Sequence, residues 1–264
     1  MTLRCLPITL WLAASLAACA VAPLEVMPPA SLAGVAPWAV SGRQGWMPNR
    51  ALRFGDYATR DLKSRERDRT TACPGGCTHV DLGLYQRRYD DAFRTASQQL
   101  RFTLVGPAGA EADVQLTSQL DQQRRDWITR WFGVPTDFGA DFTRQISVIG
   151  TVQPADAAQP GWRFALRDDG TLPLQGWAED DTGRRVTLTP LQQFKGRDGR
   201  AATMPGFAQG QAFGYAFELE GQAVAAVSTH GAGTVWIKPD AAPELRLSLA
   251  GLASALLLRR EFGH

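Results

Sequence analysis

From about residue 50 the chain alternates apolar and polar side chains with a period of two, in short runs bounded by glycine, proline or aspartate. An extended backbone sends successive side chains to opposite faces, so this alternation suits strands with one face buried and the other wetted. Leu100, Phe102 and Leu104 alternate in QLRFTLV, and Val114, Leu116 and Leu120 in DVQLTSQL. RALRFGDYAT, RQISVIGTVQ, GWRFALRD, LPLQGWAED, RRVTLTPLQQF, AFGYAFELEG, QAVAAVST and GTVWIK carry the same signature. The connectors DDG (168–170), EDDTG (179–183) and LEGQ (219–222) read as hairpin turns in which glycine supplies positive φ. The pattern predicts a mainly β domain, an antiparallel sandwich or open barrel, with α+β as the alternative.

The last segment breaks the period. Residues 243–260 (PELRLSLAGLASALLLRR) begin with proline, place Glu244 in the first turn and end on two arginines, which suits a helix. Leu245, Leu249, Leu252 and Leu256 follow helical spacing, and Leu257 and Leu258 widen the apolar face. Glu244, Arg246 and Ser248 shorten the apolar run, so the segment reads as a core helix covering one sheet face.

The N-terminus has a different logic. Arg4 is the only charge in MTLRCLPITLWLAASLAACAV, and the run from Leu6 to Val21 is apolar apart from Thr9 and Ser15. A short basic region, an apolar stretch and small residues at a cut site make an export signal, and the stretch falls short of the roughly 20 apolar residues a spanning helix needs. Leu16-Ala17-Ala18-Cys19 resembles the lipobox of bacterial lipoproteins. The resemblance covers this segment alone. It implies cleavage before Cys19, a diacylglycerol on the Cys19 sulfur and an acylated new N-terminus, so that the partner of the chain is a membrane reached through its lipid anchor. Ala20, where an aspartate would favour retention in the inner membrane, implies sorting to the outer membrane, facing the periplasm. Two or more acyl chains make such anchoring stable where one does not. The expected organisation is a signal peptide over 1–18, a lipidated cysteine and a Pro/Ala/Gly-rich tether over 19–37, and one β-rich domain over 38–264.

Once Cys5 leaves with the signal and Cys19 carries lipid, two cysteines remain, in Cys73-Pro74-Gly75-Gly76-Cys77. A turn of proline and glycines can bring their Cα atoms within disulfide range, and an oxidising compartment favours the bond. A metal site using Cys73, Cys77 and His79 with Asp81 or His230 as fourth ligand, or a redox pair, are the alternatives. The spacing of three residues departs from the two of thioredoxin-type motifs. No metal and no cofactor is expected.

The 264 residues carry a formal net charge of +2, too small for a nucleic-acid footprint, so no nucleic-acid partner is expected. Residues 56–70 (DYATRDLKSRERDRT) form a mixed charge run that reads as a solvated loop or exposed strand, with a patch for anionic lipid headgroups or cell-wall polymer as the sharper reading. Trp127, Trp131 and Phe132 cluster behind Arg124 and Arg125 and are the candidate partner-binding residues, against ordinary packing. The other tryptophans, Trp38, Trp46, Trp162, Trp177 and Trp236, read as core.

Catalytic signatures are missing. The sequence holds no G-x-S-x-G, H-E-x-x-H, P-loop or G-x-G-x-x-G motif. Its three histidines are His79, His230 and His264. Only His230, near Ser228 and with Asp180 or Asp181 as a candidate carboxylate, could serve a hydrolase of envelope polymers. The adjacent carboxylates Asp90/Asp91, Asp168/Asp169 and Asp180/Asp181 point to opposite faces if they lie on strands, and two of the pairs precede turn glycines. The expectation is a non-catalytic binding or assembly component of the bacterial envelope whose partner is another envelope protein or cell-wall polymer, with the hydrolase as alternative.

Overall fold

The computed structural model describes residues 24–43, 51–73, 78–81, 85–131, 134–168, 173–196, 198–203 and 212–262; the side chains of 78–89 and 127–142 are outside that description. The strands in chain order are β1 Trp38–Ala39, β2 Arg53–Phe54, β3 Tyr57–Ala72, β4 Thr78–Asp81, β5 Tyr85–Val105, β6 Glu111–Trp131, β7 Val134–Pro154, β8 Trp162–Asp168, β9 Gln175–Asp180, β10 Arg185–Pro190, β11 Gln193–Lys195, β12 Ala201–Thr203, β13 Gly214–Leu219, β14 Gln222–Ser228 and β15 Thr234–Ile237. Among the described residues one α-helix, α1, spans Pro243–Leu258.

The expected mainly β, antiparallel architecture is what the chain adopts. One sheet runs in the order β1-β15-β14-β13-β10-β9-β8-β7-β6-β5-β3-β2, with β4 added to β5. Its two ends meet. Ser41, just past β1, and Arg53 in β2 exchange both backbone hydrogen bonds at 2.9 Å. Trp38 packs against Phe54 and Tyr57 at this seam, with ring centroids 6.4 and 5.9 Å apart. The result is a nearly closed barrel rather than two stacked sheets. The LEGQ connector is a tight hairpin with Glu220 at φ +52° and Gly221 at φ +78°, the two positive angles a type I′ turn requires.

The barrel is filled by α1. The sequence suggested that this helix covers one sheet face; instead it touches β5, β6 and β7 on one wall and β14 and β15 on the other. β6 and β14 stand opposite each other in the strand order. Leu247 and Leu249, about 200° apart around a helix of 3.6 residues per turn, are only 3% and 0% exposed. A helix apolar all round belongs in an interior. Gly251 permits the approach, since a Cβ there would lie 2.7 Å from Val152 Cγ1 and 3.4 Å from a Val114 methyl. Phe102, Leu104, Val114, Val148, Val227 and Val235, all inward-facing, complete the same core.

Side chains from the walls hold the helix C-terminus, where the last carbonyls lack intrahelical donors. Arg43 Nε donates to the Leu257 carbonyl at 2.9 Å, and Gln98 Nε2 to Leu258 at 3.4 Å. Gln98 Oε1 accepts from the Arg260 amide at 2.7 Å, and Arg144 donates to the Phe262 carbonyl at 3.2 Å. Arg260 then pairs with Glu66 at 2.8 Å. These contacts fix the depth of the helix.

A second apolar cluster lies on the outer face of β13–β15, where Ala216, Ala226 and Trp236 are covered by Val26, Leu32 and Phe194. Residues from Glu25 are docked here. Met27 N donates to Gln193 O and Lys195 N to Glu25 O, both at 2.8 Å. Ser31 Oγ donates to Ala223 O at 3.2 Å. The second half of the 19–37 segment is therefore a strap on the barrel, because Val26 and Leu32 each find an apolar socket; 19–23 lie outside the described residues.

Four strands overshoot the barrel. β8 pairs β7 only over Val152–Ile146, yet β5, β6 and β7 remain paired to Tyr85, Trp131 and Val134. Eleven residues of β6 beyond Leu120 make an arm of roughly 37 Å at about 3.4 Å per residue. The charge run 56–70 is β3, an exposed strand at the arm's edge, as its solvated reading had it. Charged edges of this kind discourage pairing with another chain.

Candidate functional site

The residues singled out in the sequence do not converge. Cys19 and Cys77 lie outside the described residues. Cys73 follows β3 directly at φ +48°, its amide donating to the Asp91 carbonyl at 2.6 Å. Trp127 and Trp131 are on the distal part of β6, in register with Tyr89 and Phe138, and with Tyr85 and Val134. Phe132 lies outside the described residues. These aromatic positions are therefore at the far end of the arm, well away from the barrel.

His230 is exposed on the turn between β14 and β15. Its backbone amide donates to Ser228 Oγ at 3.2 Å, and its ring meets Phe194 and Phe213 edge-on. Asp180 is committed elsewhere. Its Oδ1 accepts from the Thr182 amide at 3.0 Å, the Thr182 hydroxyl at 2.7 Å and the Arg184 amide at 2.9 Å. Burial pushes this carboxyl up, but those hydrogen bonds and the Arg184 guanidinium outweigh it and hold its pKa below the ordinary value. Asp181 accepts from the Gly161 amide at 3.0 Å. Both carboxylates build turns, so neither is poised as the partner of a base.

With α1 occupying the interior, a concavity open to a ligand is found on the outside. A groove of about 870 Å³ crosses the outer faces of β3, β5, β6, β7, β8 and β9 where the arm leaves the barrel. Strand register explains its composition. One row runs Lys63, Arg101, Gln115, Thr151, Arg163, and the next runs Arg65, Gln99, Thr117, Ile149, Ala165, Trp177. Ile149, at 59% exposure, forms an apolar floor. Trp177 is half-buried rather than core, with the Arg185 guanidinium 5.1 Å from its ring centroid. The core reading of the tryptophans holds for Trp162 and Trp236, at 2% and 4% exposure.

Four cations and no carboxylate line this groove. Arg163 pairs with Glu179 at 3.1 Å, and Arg101 approaches Asp113 at 3.8 Å, both from the margin. Lys63 and Arg65 make no ion pair with any described residue. Lys63 also sits directly opposite Arg101 in the β3–β5 register, an arrangement in which like charges repel. The charge run pointed to β3. Arg101, Arg163 and Trp177 carried no comparable signal, because only the register brings them beside it.

The described helices include none long and apolar enough to cross a membrane. Around Gln99–Thr103 of β5 and Asp113–Thr117 of β6 the outward positions are polar or charged and the inward ones apolar, the reverse of a membrane-spanning barrel. Comparison with protein-family models, with curated proteins and with solved structures finds no match to this chain.

Proposed function

We propose that this chain is a lipid-anchored, non-catalytic binding or assembly component of the bacterial cell envelope. The lipobox at Leu16–Cys19 supports the address and the Cys19 anchor. The observation that carries the non-catalytic half is the filled interior: α1 occupies the space in which a barrel would otherwise hold a ligand. What remains for recognition is the outer surface, the groove and the arm with Trp127 and Trp131. Neither the exposed His230 nor the turn-building Asp180 favours the hydrolase reading.

Fractionation of envelopes tests the address. Cys19→Ala is expected to appear in the soluble fraction or as unprocessed precursor, whereas the parent chain sediments with membranes. A Cys19→Ala protein still membrane-bound at mature size would refute the anchor. Crosslinking in intact envelopes tests the binding role. A partner captured by the parent chain and lost on Trp131→Ala supports the arm as a contact surface, and identical capture by both refutes the arm as that surface.

A further inference from the structure

The groove at the root of the arm has the chemistry of an anion site with a sugar-binding floor. Lys63 and Arg65 make no ion pair with any described residue, and Lys63 faces Arg101 across the β3–β5 ladder, so an anion would relieve a repulsion the fold leaves in place. Opposite them stands Arg163, four strand spacings away, roughly 19 Å at about 4.8 Å per strand. Between the two positive ends lie amides, hydroxyls and the side chain of Ile149, with the Trp177 ring at one border. Hydroxyl and amide donors beside a half-buried indole match a polyhydroxylated ligand, since ring C–H faces pack on indole while hydroxyls bond the polar side chains.

We propose that this groove binds an acidic glycan, a chain of sugars bearing carboxylate groups, laid across the strands from Lys63 to Arg163. The charges at either end bind the anionic substituents, and the neutral centre accepts the sugar rings. A flat bilayer of anionic headgroups fits less well, because it would leave the neutral centre of the groove and its Trp177 border without a partner. The proposal deepens the envelope-binding reading by naming a ligand class and its site, but it does not need the lipid anchor.

Isothermal titration of the purified full chain in detergent tests it with four probes: tetragalacturonate, neutral maltotetraose, inorganic polyphosphate and detergent-matched phosphatidylglycerol micelles. Tetragalacturonate is expected to bind at least tenfold more tightly than maltotetraose, to weaken as salt rises, and to lose at least tenfold in the Lys63→Gln/Arg163→Gln double variant. Both positions are exposed, so that variant is expected to retain the parent unfolding midpoint. Trp177→Leu is expected to weaken tetragalacturonate and leave polyphosphate unchanged. Equal binding of the uronate and the neutral sugar overturns the proposal. So does polyphosphate or the anionic micelle binding as tightly as the uronate at equal charge, or an affinity unmoved by the double variant. Mislocalisation results with Cys19→Ala bear on the address alone, so failure of the address and failure of the groove are separately visible.

Discussion

Placing α1 inside the barrel makes a prediction that covering one sheet face does not. Leu247 and Leu249 point to opposite sides of the helix, yet both are buried, Leu247 beside Gly106 on one side. Were the helix a lid, one of the two would face water, and its truncation would change stability by no more than about 0.5 kcal/mol. Inside the barrel each truncation removes buried methyl groups and leaves a cavity that rigid walls cannot close. Leu→Ala changes of this type cost about 2.7–5 kcal/mol. For a chain of this size each kcal/mol lowers Tm by roughly 2–4 °C, so either variant should melt about 5–20 °C early. Equilibrium denaturation followed by tryptophan fluorescence measures the difference, with the denaturant slope checked for constancy. Both Leu247→Ala and Leu249→Ala are expected to be strongly destabilised and comparable to each other. A Leu247→Ala protein within 0.5 kcal/mol of the parent would refute the filled barrel.

Two further outcomes follow from local chemistry. The Asp180 carboxyl is held below its ordinary pKa, so the unfolded chain binds its proton first; the stability it contributes is present above about pH 3.9, the unfolded value, and is lost as pH falls through the lower folded value. Asp180→Asn is therefore expected to flatten the acid limb of stability against pH, and an unchanged acid limb would show that the carboxylate is not its source. The Cys73–Cys77 pair is expected to be oxidised in exported protein, giving a mass two daltons higher after full reduction of the chain; labelling of two free thiols before reduction would refute the bond.

How much of this could be seen in the sequence depends on where side chains meet water. Strands around Leu100–Leu104 and Val114–Leu120 alternate cleanly because α1 buries one face and solvent wets the other. The same strands continue into the arm, and there both faces meet solvent: Arg94, Arg124 and Asp126 on the inward register are at least partly exposed. The periodic signal fades, so strand lengths of 21 residues were not visible. The apolar width of α1, extended by Leu257, hinted at burial all round but could not distinguish one sheet from two facing walls. The groove was the least legible feature. Lys63 and Arg65 stand in an evident charge run, but Arg101, Arg163 and Trp177 come from distant segments aligned only by pairing. Arg43, Gln98 and Arg144, which hold the helix end, were equally silent because each is defined by a carbonyl far along the chain.

The helix follows in sequence every wall it touches. A polypeptide emerging N-terminus first from a ribosome or a translocation pore therefore presents every described strand before their common filler exists. Until residues 243–258 arrive, inward leucines, valines and phenylalanines from both walls have nothing to pack on, and unfinished sheets of this kind invite aggregation. Productive folding of the barrel thus waits until residues 243–258 have emerged, depends on long-range contacts that form slowly, and is exposed in the interval to any protease or chaperone sharing the compartment.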